Sequence, residues 1–155
     1  IAMSFRGRNT YRYGGGHSPN QPPFTSESST RICEDGKQCK TFCPSGTSCL
    51  DCSAFVNQVL QCAGFNRFEG TTTAMVNNSQ AEVITSLTTT KANGQDMKPG
   101  DLLFWQGHVV IYIGNGQTAE SFGGNQGRKA GNSIAIQPAD HYKNRMPHLY
   151  IYRAH

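Results

Sequence analysis

The chain has 155 residues, 36% of them hydrophobic, and its 17 glycines bring the apolar share into the usual range of roughly 45–50%. That suits one packed domain, and it excludes a membrane-spanning helix, since no run of about 18 apolar residues occurs. Charged residues are only 15% and the net charge is +4, from 14 basic and 10 acidic side chains. So mild a charge speaks for solubility or an anionic surface, and no nucleic-acid partner is expected. No repeat recurs at solenoid periods. No apolar leader run opens the sequence at Ile1, so any signal peptide or preceding domain is expected to have been removed or to lie outside this sequence.

Residues 1–32 are polar, with Gly14-Gly15-Gly16 and Pro22-Pro23, and read as loop and turn except around Tyr11 to Tyr13. Residues 33–51 hold Cys33, Cys39, Cys43 and Cys49. Their spacing lacks the paired C-x2-C knuckles of most structural zinc sites, so disulfides are the expectation and no metal is. Four cysteines allow three pairings, and the sequence does not choose among them. Such density implies an oxidising compartment, hence a secreted, extracellular or periplasmic location.

At Asp51 the pattern changes. Phe55, Val56, Val59, Leu60, Cys62 and Ala63 recur at three- and four-residue spacing and Gly64 closes the run. This predicts a helix of about a dozen residues, with Asp51 as N-cap and Gly64 just past its end. Cys62 falls on its apolar face and is expected to be a buried thiol. A second, weaker helix is predicted over Ser79 to Leu87. Pro99-Gly100 is a turn, and strands follow at Asp101–Gln106, His108–Ile113, Gln117–Ser121, Ser133–Gln137 and Leu149–Tyr152, with a short helical turn from Pro138 to Tyr142. Asn115-Gly116 is a strong hairpin signal. The glycine-rich stretch 123–127 lacks the strand-loop-helix setting of a phosphate loop and reads as a surface loop. Helices followed by an antiparallel meander argue an α+β fold.

Asp51-Cys52-Ser53 at a helix start, with His108 at the head of a later strand, is the arrangement that makes a thiol a nucleophile. A helix N-terminus favours thiolate, and an imidazole takes the proton. Cys49-Leu50-Asp51-Cys52 also fits C-x-x-C, but the strand-helix-strand context of a redox motif is missing. His17, His141, His148 and His155 have no comparable setting and read as surface residues. Phe104, Trp105 and Tyr112 read as core or cleft wall rather than as a sugar platform.

DCSAFVNQVLQCAGF, then KPGDLLFW, then HVVIYIGNG, together with Tyr11-Arg12-Tyr13-Gly14-Gly15 upstream, resemble the NlpC family of papain-like cell-wall cysteine peptidases. The resemblance covers roughly Tyr11–Ser121. It implies a papain-like domain over the whole chain, with N-terminal helices packed on an antiparallel sheet of about five strands and a cysteine-rich insertion at about 33–49. By the same resemblance Cys52 is the nucleophile, His108 the general base, and Glu120 the third polar residue, where the family usually has His. Tyr11, Asp51 and Ser53 would line the cleft and hold the amino end of a stem peptide. Ala54 stands where the family mostly has Gly, and the four-cysteine loop lengthens the Tyr-to-Cys segment.

The implied activity is cleavage of peptidoglycan stem peptides between D-glutamate and the diamino acid, with no cofactor. The alternatives are an N-acetylmuramoyl-L-alanine amidase on the same fold, or a disulfide-framed module that binds wall peptide without cutting it. If the chain is a toxin, an inhibitor or immunity protein would be a further partner. Strand counting raises a difficulty for Glu120. With Gly114 opposite Gln117, Tyr112 would face Ala119, and Glu120 would fall out of phase with His108 unless a bulge intervenes.

Overall fold

A computed structural model describes residues 2–5, 30–32, 38–40, 50–68, 72–78, 80–123 and 133–155. In chain order the elements are a 3₁₀ turn Ala2–Phe5, β1 Thr30–Ile32, β2 Gln38–Lys40, α1 Cys52–Cys62, α2 Thr72–Val76, β3 Glu82–Val83, β4 Lys91–Ala92, β5 Gln95–Asp96, β6 Leu102–Trp105, β7 His108–Gly114, β8 Gln117–Ser121, β9 Ile134–Pro138, a 3₁₀ helix Ala139–Arg145, and β10 Tyr150–Tyr152. The fold is α+β. Its main sheet has six strands in the order β3-β10-β6-β7-β8-β9, beside two small hairpins, β1-β2 and β4-β5. The chain divides into two compact units, residues 1–59 with 120–135, and residues 60–119 with 136–155.

Helix α1 begins and ends as the sequence predicts. The Asp51 carboxylate accepts the Ala54 N–H at 2.9 Å, which satisfies one of the donors orphaned at a helix start. Gly64, at φ +86°, ends the helix, with its N–H bonded to Gln61 and the Phe65 N–H to Leu60. Those two bonds are the Schellman closure, which requires a left-handed residue. An alanine side chain at position 64 would meet nothing within 4 Å. Gly64→Ala should therefore cost about 1 kcal/mol through the backbone alone, seen as a lower denaturant midpoint at unchanged m-value.

From Cys52 to Leu60 every residue of α1 is buried, whereas Gln61, Cys62 and Ala63 are exposed. The expectation of a buried Cys62 is therefore corrected. Periodicity gives the direction in which a side chain points but not where the core stops, and here it stops at Leu60.

The segment predicted as a second helix is extended instead, apart from Ser79, which lies outside the described residues. Val83, Ile84 and Thr85 are β-branched and favour the pleated state. Val83 pairs with Tyr150, and the Ile84 N–H bonds the Leu149 carbonyl at 2.7 Å. Asn93, in the left-handed region at φ 53°, holds the extended run from outside. Its Oδ1 accepts from the Thr85 and Ser86 N–H groups, and its Nδ2 donates to the Val83 carbonyl. This segment supplies β3, the sixth strand where about five were expected. The short helix α2 was not expected, because threonine is a poor helix former; its anchor is the fully buried Met75.

Within the second unit the core joins Ile84, Leu87, Met97, Leu103, Val110, Tyr112, Tyr142 and Leu149, all at most 6% exposed. Each such side chain contributes roughly 1.5–3 kcal/mol on burial. Below this core, Asp101 is buried and its carboxylate takes two hydrogen bonds from Arg153, at 3.0 and 2.9 Å, and a third from the Lys98 N–H.

The β7–β8 hairpin turns at Asn115-Gly116, both at positive φ as the predicted tight turn demands. Gly114 does pair with Gln117, but Tyr112 pairs with Thr118, and Ile111 rather than Tyr112 faces Ala119. The register shifts between Tyr112 and Gly114, so a bulge at Ile113 corrects the simple count. Gly114, at φ +94°, supplies the left-handed residue that such a bulge uses.

Candidate active site

The first unit holds the candidate nucleophile, Cys52. Cys52 carries a free thiol, is 6% exposed and is the first residue of α1. Asp51 and Ser53 on either side are equally buried, and the Ser53 hydroxyl donates to the Asp51 carboxylate at 3.3 Å. The residue before them is tied to the end of β8: the Ser121 hydroxyl donates to the Leu50 carbonyl at 2.8 Å and lies 3.3 Å from the Ser133 hydroxyl. Glu120, buried at 8% exposure, precedes Ser121. The structure thus brings together four of the predicted residues, Asp51, Cys52, Ser53 and Glu120, in one unit.

The second unit holds the candidate base, His108. His108 opens β7, half-buried, directly opposite Trp105 on β6. The two-residue turn between them contains Gly107 at φ +104°, and the Gly107 N–H donates to the Thr72 hydroxyl at 3.0 Å. The start of α2 therefore braces the turn that presents His108. The His108 and Trp105 rings lie 5.1 Å apart, and Trp105 also contacts Tyr142 at 5.5 Å. On the Trp105 ring sits the Arg145 guanidinium, 4.8 Å from the ring centre.

Phe104 and Tyr112 are core, as read from the sequence, and Trp105 is a half-buried wall. His141, His148 and His155 are exposed, also as read. Thr72 and Arg145 carried no sequence signal, because only the fold brings them to the β6–β7 turn. Tyr11, Cys33, Cys43, Cys49 and His17 lie outside the described residues, as does most of the glycine-rich loop. Cys39 lies on β2, opposite Arg31. Among the described residues no group of three His, Cys, Asp or Glu side chains is placed to hold a metal ion.

The fold is thus an α+β domain with a cysteine at the head of α1 and a histidine at the head of β7, a strand of an antiparallel sheet. The family model for the NlpC/P60 family matches residues 7–142. Among solved structures, the P60 domain of antigen MAP1204 from M. avium subspecies paratuberculosis is 21% identical, with a TM-score of 0.51, over 98% of this chain and 88% of that one. The P60 domain of M. avium paratuberculosis antigen MAP1272c is 17% identical, with a TM-score of 0.46, over 98% and 96% of the two chains. NlpC1 from Trichomonas vaginalis is 23% identical, with a TM-score of 0.46, over 70% of this chain and 36% of that one. No curated protein matches the chain. The chain belongs to the NlpC/P60 family, whose members are generally peptidoglycan hydrolases and typically cysteine peptidases.

Proposed function

We propose that the chain is a thiol endopeptidase of bacterial peptidoglycan that cuts the stem peptide between D-glutamate and the diamino acid. The observation that carries this reading is Cys52, a free, buried thiol at the first position of an Asp51-capped helix, in a chain matched by the NlpC/P60 model. In this reading the Cys52 sulfur attacks the D-glutamyl carbonyl. The N-terminus of α1 stabilises the oxyanion that develops. His108 first takes the thiol proton and then gives it to the leaving amine, so a thioester remains on Cys52. Water, deprotonated by the same imidazole, hydrolyses that thioester and restores the thiol.

Glu120 is proposed as the residue that orients His108. The register supports it: Thr118 lies opposite Tyr112, and alternation along the strands carries Glu120 to the face of the sheet that His108 shares with Tyr112. Glu120→Gln keeps the shape and removes the charge, and it should lower kcat roughly tenfold or more with the melting temperature unchanged. Full activity in that variant would return Glu120 to an ordinary buried carboxylate.

Tyr11, Asp51 and Ser53 are proposed to hold the amino end of the stem peptide. Cys33, Cys39, Cys43 and Cys49 are proposed to form two disulfides, in keeping with a site of action outside the cytoplasm. The deciding experiment digests purified peptidoglycan with the protein and identifies the products by mass. New amino termini on the diamino acid are expected. Release of intact stem peptides from the sugar would instead make the enzyme an amidase, and an unchanged wall would make it a binding module.

A further inference from the structure

Arg145 ends the 3₁₀ helix Ala139–Arg145 and is exposed, yet its guanidinium lies on the ring of Trp105, 4.8 Å from the centre. The same ring touches His108 at 5.1 Å and the buried Tyr142 at 5.5 Å. Tyr142 in turn accepts a hydrogen bond from the Thr118 hydroxyl at 3.5 Å, so the aromatic platform is fixed to the sheet from below. A guanidinium held over an aromatic ring by cation–π attraction can still offer its N–H donors to a partner. No carboxylate or carbonyl accepts from Arg145 among the described residues. Arg153, by contrast, spends its donors on Asp101 and the Asp96 carbonyl. Arg145 thus shares the Trp105 ring with His108, and among the described residues its planar fork of donors meets no acceptor. Such a fork matches a carboxylate in two-pronged geometry.

We propose that Trp105 and Arg145 form a carboxylate-binding subsite beside His108, which holds an acidic group on the leaving half of the substrate. The inference rests on the reading of His108 as the group that protonates the leaving amine, because the leaving half is then the part that lies against the imidazole. It makes the enzyme selective for stem peptides whose diamino acid portion carries a free carboxylate over those in which that group is a carboxamide.

Trp105 is the only tryptophan in the chain, so its fluorescence reports this subsite alone. The test titrates Cys52→Ala protein, which cannot turn over, with two stem peptides that differ only in a carboxylate or a carboxamide on the diamino acid. The carboxylate form should bind about tenfold more tightly. Adding Arg145→Ala should erase that preference while leaving the carboxamide affinity and the melting temperature as they were. Arg145→Lys, which keeps the charge but not the fork, should restore part of it. Equal affinities for the two peptides, equal losses for both in Arg145→Ala, or no binding of either peptide would each overturn the proposal. Cleavage by the protein with Cys52 intact is scored separately. Cleavage at the proposed bond without an Arg145 effect sinks the subsite alone. Arg145-dependent binding without cleavage sinks the peptidase reading and with it the place on the leaving half, and leaves only a carboxylate-binding pair.

Discussion

Cys52→Ala is expected to abolish cleavage of peptidoglycan, by at least about 10⁴-fold in rate, while the domain stays folded. Losses of that size follow from removing a covalent nucleophile, because no other group offers a route through an acyl intermediate. The fold should survive because the substitution leaves the helix start intact: the cap is made by the Asp51 carboxylate to the Ala54 N–H, and neither group is touched. Cys52→Ser should be nearly as inactive, since a hydroxyl in a site built for a thiol ionises far less readily. Product mass spectrometry with a melting curve for each variant checks both halves of the claim. Near wild-type digestion by Cys52→Ala would end the thiol mechanism.

The second large effect concerns stability. Arg153→Ala leaves the Asp101 carboxylate, 1% exposed, without its cation. Breaking a fully buried pair typically costs about 3–5 kcal/mol. The Arg153 side chain is 50% exposed, so water takes over part of the role, and about 2 kcal/mol is expected, or a drop in Tm of roughly 5 °C. The hydrogen bonds to Asp101 raise the Arg153 pKa above its ordinary value. A raised basic group contributes its stability at all pH below the unfolded-state value and loses it only as pH climbs through the folded one. The penalty should therefore be the same at pH 6 and pH 9, which chemical denaturation at both would test. Asp101→Asn combined with Arg153→Ala should recover part of the loss, because the stranded charge is then gone. A stability for Arg153→Ala equal to that of the unaltered protein would show that solvent alone satisfies Asp101.

Features set by nearby residues were legible in the sequence. Asp51 and Gly64 bracket α1 as read, because a cap and a left-handed terminator act within a few residues of themselves. The strands at 102–105, 108–114 and 117–121 match for the same reason, as alternation and Asn115-Gly116 are local signals. What escaped depends on partners far along the chain. The run around Val83 spaces its apolar residues as a helix would, and only pairing with β10 makes it a strand. The bulge at Ile113 shifts β8 by one residue, so the sequence could name Glu120 but not settle its phase. Trp105 reads as core or cleft wall, and nothing near Arg145 announces that 40 residues on it returns to that ring.

Strand β3 has a consequence for how the protein behaves in a crowded solution. It ends the main sheet on one side, where an unpaired row of backbone groups would recruit a strand from another molecule. Here the edge is only two residues long, both exposed, and one of them is the carboxylate Glu82. The Val83 carbonyl is already taken by the Asn93 side chain. A neighbouring chain meets a short, charged rim with one of its acceptors occupied. The same asparagine that keeps this segment extended thus also makes this edge a poor template for a strand from a neighbouring molecule.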